Sequence, residues 1–211
     1  MTLTKQQKGE HGFLPILPRA AQLSLGLVVL CWVFPALAAG DVTISTEITS
    51  GNCSAAVSPA TLSLGANGKI DPTAAVGKDW VFLGQNAITV TLTCTGGVAP
   101  SGAGVPAITV KPKSGTAQLA SAGLFSAATA TTAKGFGVAI SNAVVSSMDK
   151  SKLITVAAPY VNVGTTGTLP TNGSTWKLPV AVACGATTAC AASNLGPGKV
   201  SATFVVDFSY H

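Results

Sequence analysis

The chain has almost no histidine, little charge and few aromatic rings. Its two histidines are His11 and His211, so a Ser-His-Asp arrangement or a histidine-based metal site has no material between them. Arginine is missing after Arg19, and only 9% of the residues are charged. From residue 39 onward nine lysines stand against six acidic residues, a net charge near +3. Scattered lysines without arginine make a poor nucleic-acid surface. They suit solubility and the guarding of strand edges. The carboxylates form no motif, and Asp149 beside Lys150 reads as a solvated turn. No glycine-rich stretch runs into the Gly-Lys-Ser/Thr ending of a phosphate loop. We therefore expect no catalytic residue, no metal ligand set and no cofactor.

Against these absences stands an unusual start. Lys5, Lys8 and Arg19 precede an uncharged apolar run from Leu23 to Phe34, and Ala36-Leu37-Ala38 follows. A basic lead, a short apolar centre and a small-residue end are the pattern of a secretory signal peptide. The run is well short of the ~20 residues a spanning helix needs. Residues 1–38 are thus expected to be removed on export. Cys31 lies within them, which leaves Cys53, Cys94, Cys184 and Cys190. An even number of cysteines in an exported chain argues for disulfides. Four cysteines allow three pairings. Cys184 and Cys190 are near enough to close a small loop, which leaves Cys53 for Cys94. A four-thiolate zinc site usually shows two close pairs, and only one is present.

The remaining sequence is rich in Ala, Gly, Ser, Thr and Val, a composition that suits strands and turns. Period-two alternation recurs. It runs through residues 42–48, then perfectly through Ile88-Thr89-Val90-Thr91-Leu92-Thr93-Cys94. Shorter candidates are 107–110 and 137–140. Residues 176–182 form another, in which Pro179 suggests an edge or a bulge. At the C-terminus Val200, Ala202, Phe204, Val206, Phe208 and Tyr210 all fall on one face. Period two marks strands with one face in a core. Turn-formers separate these runs, among them Gly65-Ala66-Asn67-Gly68, Pro170-Thr171-Asn172-Gly173 and Gly196-Pro197-Gly198. Several short strands joined this way predict an all-β sandwich. Residues 114–134 are poorly patterned and fit a loop, a weak strand or a short helix.

Four features, in order, resemble the chaperone–usher pilins, the subunits of type 1-like fimbriae. The segment GDVTISTEITSGNC is similar to that family's N-terminal extension, an alternating strand ending shortly before the first cysteine. CSAAVSPATLSLG resembles the segment after that cysteine. The spacing of Cys53 and Cys94 is close to the family's disulfide spacing. GKVSATFVVDFSYH looks like its terminal strand, with Gly198 fourteenth from the end and Tyr210 penultimate. Thr46 stands where the family often has glycine, and the Cys184/Cys190 pair is not a general family feature.

The resemblance implies a signal peptide over 1–38, a donor-strand extension over 39–52 and a pilin domain over 53–211. That domain is expected to be an incomplete immunoglobulin-like sandwich, completed by a strand from a neighbouring subunit. Val42, Ile44, Thr46 and Ile48 would form the inward row of the donor, with Thr46 the weak contact and Thr43, Ser45 and Glu47 facing out. Gly198, Val200, Ala202, Phe204, Val206, Phe208 and Tyr210 would border the groove that first a periplasmic chaperone and then another subunit fills. The partners implied are identical or related pilin subunits, that chaperone, an outer-membrane usher and a host-surface receptor, with no nucleic acid. The location implied is the bacterial cell surface. The rival reading is a binding module, either a fimbrial adhesin or a free secreted sandwich that recognises host glycan or protein.

Overall fold

The computed structural model describes residues 50–142 and 147–211. The expected signal peptide and the alternating run 42–48 lie outside the described residues. Among the described residues the chain is all-β, with no α-helix and two antiparallel sheets. Its strands are β1 (Asn52–Ser58), β2 (Leu83–Thr95), β3 (Pro106–Pro112), β4 (Thr116–Gln118), β5 (Phe125–Ala127), β6 (Gly137–Ile140), β7 (Tyr160–Asn162), β8 (Thr175–Ala183) and β9 (Phe204–Tyr210). One sheet has the order β1-β2-β8-β6-β5-β4 and the other β7-β3-β9.

The alternation in the sequence becomes the two faces of each strand. Val90 and Leu92 of β2, Leu178 and Val180 of β8, and Val138 and Ile140 of β6 enter one core. Ile108 and Val110 of β3, Val161 of β7 and Phe208 of β9 enter it from the other sheet. Most of these side chains are nearly water-free, and each contributes about 1.5–3 kcal/mol when fully buried. Two smaller clusters accompany this core. Leu83, Phe136 and Val182 gather around Cys184 and Cys190 with Ala75. Leu124, Ala139 and Ala183 are covered by Trp80, Phe82, Leu119, Met148 and Leu153.

Both disulfides are present, joining Cys53 to Cys94 and Cys184 to Cys190. Cys53 and Cys94 face each other in the β1–β2 register, their Cα atoms 4.0 Å apart. That is the side-chain-close kind of antiparallel pair, in which neither amide is used between the two strands. Each amide finds a side chain instead. Cys53 N–H donates to Asn52 Oδ1, and Cys94 N–H donates to Asn172 Oδ1, both at 2.9 Å. The small disulfide lies where the 185–190 loop clasps an earlier segment. Gly77 N–H donates to Cys190 O and Trp80 N–H to Gly185 O.

Two points left open by the sequence are decided by the strand order. Pro179 is not on an edge strand: β8 lies between β2 and β6. The proline is accommodated because the β6 ladder stops at Ile140↔Val180, one residue short of it. Its carbonyl accepts from Ser141 N–H just past that ladder, so its missing N–H falls where no regular rung exists. A register shift in β2 lies nearby, between Leu83 and Asn86. The stretch 114–134, open on sequence alone, holds the short hairpin β4–β5. Asp149 behaves as its sequence suggested. It caps the exposed 3-10 turn 150–152 by accepting from Ser151 N–H and Oγ, and these bonds hold its carboxyl below the usual range.

Candidate functional site

The candidate site is the seam between the two sheets, where β1 and β9 come side by side without pairing. Each is the last strand of its sheet, and each is bonded on one side alone among the described residues. A free strand edge is a row of unpaired N–H and C=O groups, a template for another strand.

The β9 register identifies which groups face outward. His211 and Val105 exchange both backbone hydrogen bonds, at 2.9 and 3.1 Å. Alternation then directs the main chain of Ser209, Asp207 and Val205 toward β3, and that of Tyr210, Phe208, Val206 and Phe204 toward the open edge. The residues whose side chains point into the core thus offer their backbone to the seam. One of those four donors is already capped, since Phe208 N–H donates to Asp207 Oδ1 at 2.8 Å. The Asn52 side chain caps Cys53 N–H on the facing edge in the same way. Both edges carry a short polar side chain that satisfies a donor which a ladder would otherwise take.

Beneath these edges the apolar rows are only half covered. Ala55 and Val57 of β1, then Leu62 and Leu64, pack on the core while remaining partly open. On the other side Val200, Ala202, Phe204, Val206 and Tyr210 are also partly open, and only Phe208 is buried. Phe204 is anchored by an edge-on contact with Phe125, ring centres 5.2 Å apart, and Phe208 and Tyr210 meet in the same geometry.

The expected C-terminal strand divides into two parts. Regular pairing begins at Phe204. Residues 199–203 are extended but are stitched to a different neighbour. Ala127 N–H donates to Ser201 O, while Thr132 and Ala133 N–H donate to Lys199 O. Thr131 Oγ donates to Ser201 O and accepts from Ser201 N–H. Gly198 opens this segment at φ 152°, and a Cβ there would sit 2.4 Å from Ala133 N and 2.6 Å from Thr132 C. No flexible side chain is available to give way. Gly198→Ala should therefore destabilise the domain by about 2–4 kcal/mol, seen as a lower urea midpoint at unchanged slope. An unaltered midpoint would show that 198 does not hold the entry to β9.

The far end of β9 is locked in turn. The His211 ring stacks on Tyr160 at 4.0 Å and 2°, and its Nε2 lies 2.9 Å from Asn162 Oδ1. This clasp reaches across β3 to β7. Neither it nor the Asn52 and Asp207 caps were visible beforehand, because each depends on strand register. Val42, Ile44, Thr46 and Ile48 lie outside the described residues.

One atom of the seam stands out. The Tyr210 hydroxyl is buried and has no hydrogen-bond partner, alone in this among the described residues. Burial raises its pKa above the usual tyrosine value. No group of three or more metal-binding side chains occurs among the described residues. No protein-family model matches the chain, and no curated protein matches it.

Proposed function

We propose that this chain is a structural subunit of a bacterial surface fimbria that polymerises by strand donation along a chaperone–usher route. The observation that carries the reading is the seam: two end strands lie side by side, unpaired, over half-open apolar rows. For an added strand to pair with both edges, β1 and β9 must first part. Some of their Cα atoms lie within 8 Å of each other, and two strand spacings need about 9.5 Å. The added strand's alternate side chains then fill the rows beneath. Residues 42–48 supply such a strand in sequence, with Val42, Ile44 and Ile48 at the right period. In this reading the donor comes from a neighbouring copy or a related subunit. A periplasmic chaperone holds the seam beforehand, and an outer-membrane usher oversees the exchange. The four-part resemblance to type 1-like pilins supports the same assignment.

The test is thermal unfolding of oxidised residues 51–211, alone and with a synthetic peptide covering residues 40–50. Strand acceptance predicts a large rise in midpoint that develops slowly and reverses slowly. A strand that binds only the folded form stabilises it by about 4 kcal/mol at a thousand times its Kd. A domain stable alone and indifferent to the peptide would overturn the reading in favour of a complete, free sandwich.

A further inference from the structure

We infer that Asn52 and Asp207 are guards of the seam, side chains that set how readily a strand enters it. The inference rests on the strand-donation reading and concerns the barrier to that step. It starts from a pattern in three hydrogen bonds. Asn52 Oδ1 accepts from Cys53 N–H at 2.9 Å, Asn86 Oδ1 from Ala87 N–H at 2.8 Å, and Asp207 Oδ1 from Phe208 N–H at 2.8 Å. In each case an exposed Asn or Asp covers the amide of the next residue. In each case that amide points where no strand is paired. Cys53 faces Cys94 in a pair that leaves both amides outside the β1–β2 ladder. Phe208 alternates with the residues that bond to β3. Ala87 turns toward the β1 side of β2, but β1 ends at Ser58↔Thr89.

Asn86 therefore covers a place beyond the end of a strand, while Asn52 and Asp207 cover the two edges of the seam. Phe208 lies inside the β9 edge, with Val206 and Tyr210 on either side. A strand laid along that edge calls on the Phe208 N–H whatever its register. The carbonyl that arrives there must displace the Asp207 carboxylate, and a charge-assisted bond is the harder one to exchange. Asn52 does the same at Cys53 with a neutral acceptor. Such caps make an open edge less adhesive without closing it. Ala55 and Val57 on β1, and Phe204, Val206 and Tyr210 on β9, still direct their amides at the seam. A strand that also fills the apolar rows gains enough from burial to open the caps, whereas one that offers backbone pairing alone does not.

The experiment measures how fast a labelled synthetic peptide covering residues 40–50 binds the oxidised full-length chain. Asp207→Ala should speed binding about tenfold and Asn52→Ala about fivefold, because neither cap then has to open first. The peptide carries Asp41 and Glu47, so loss of the Asp207 charge must be separated from loss of the cap. Asp207→Asn does this: it removes the charge, keeps an acceptor of the kind Asn52 and Asn86 supply, and should bind within about threefold of the wild-type rate. Asn86→Ala removes a cap outside the seam and should leave the rate unchanged. Equal speeding by Asp207→Asn and Asp207→Ala would assign the effect to charge, and unchanged rates in both seam alanine variants would show that the caps hold nothing back. Either result overturns the inference while strand donation stands. A peptide that binds neither the wild-type chain nor any variant would overturn both.

Discussion

Full-length chains carrying Ile44→Asp and Ile48→Asp are expected to form no fibre at all. In strand donation these two side chains fill gaps in the half-open rows of Phe204, Val206, Ala55 and Val57. Each isoleucine loses about 1.5–3 kcal/mol of burial, and each new carboxylate brings a desolvation penalty of several kcal/mol with no cation in the row to meet it. The two changes together exceed about 6 kcal/mol, a weakening of more than about 10⁴-fold. Nothing on β1 or β9 is altered, so on the proposed route capture by a periplasmic chaperone should persist. Glu47→Lys makes the control: it changes a charge on the same segment at an outward position and should leave assembly intact. Electrophoresis of unheated samples reads the outcome, and an unchanged ladder from the double aspartate chain would refute the donor role of 42–48.

Loss of the Cys53–Cys94 bond is the second large effect. Its loop spans 41 residues, and chain entropy alone assigns it about 4 kcal/mol, against about 2 kcal/mol for the Cys184–Cys190 bond. For a domain of this size about 4 kcal/mol corresponds to roughly 10 °C in midpoint. The effect should be concentrated on β1. That strand has one ladder, and the disulfide supplements it at the Asn52 end, where Cys53 faces Cys94 in register. Replacing Cys53 and Cys94 together with alanine should lower the thermal midpoint more than replacing Cys184 and Cys190 together. The reverse order would mean that the clasp around Gly77 and Trp80 matters more than the edge strand.

Much of the strand content was legible in the sequence because a half-buried strand writes itself at period two. Residues 88–94 fall inside β2, 107–110 inside β3, and 137–140 coincide with β6. The elements that no alternating run marked are β1, seven residues, and β4, β5 and β7, only three residues each. A run that short has no measurable period, and in 114–134 small residues on both faces blur what little there is. Pro179 left edge and bulge both open because propensity reports on a residue alone. The ending of the β6 ladder beside it is a property of three strands together. For the same reason the row from Val200 to Tyr210 read as one strand, whereas Thr131 and Thr132 draw its first part to another neighbour. Periodicity could not place β1 and β9 at the ends of their sheets, since alternation looks the same in a central strand and an end strand. The orphan hydroxyl of Tyr210 was beyond reach of the sequence, which shows what a side chain is but not what surrounds it.

The disulfide also decides how the domain meets tension. Force applied to the main chain at Ser50 would, in its absence, reach β1 from one end and peel an outer strand from β2 a rung at a time. The covalent link stands three residues inward, at Cys53, and hands the load across to β2 before the peel can start. β2 is held on both flanks, by β1 and by β8, so the load is spread over two ladders and acts along them rather than across. A bond whose energetic role is to restrict the unfolded chain thereby serves, under load, as the point where a pulled thread is tied to the fabric.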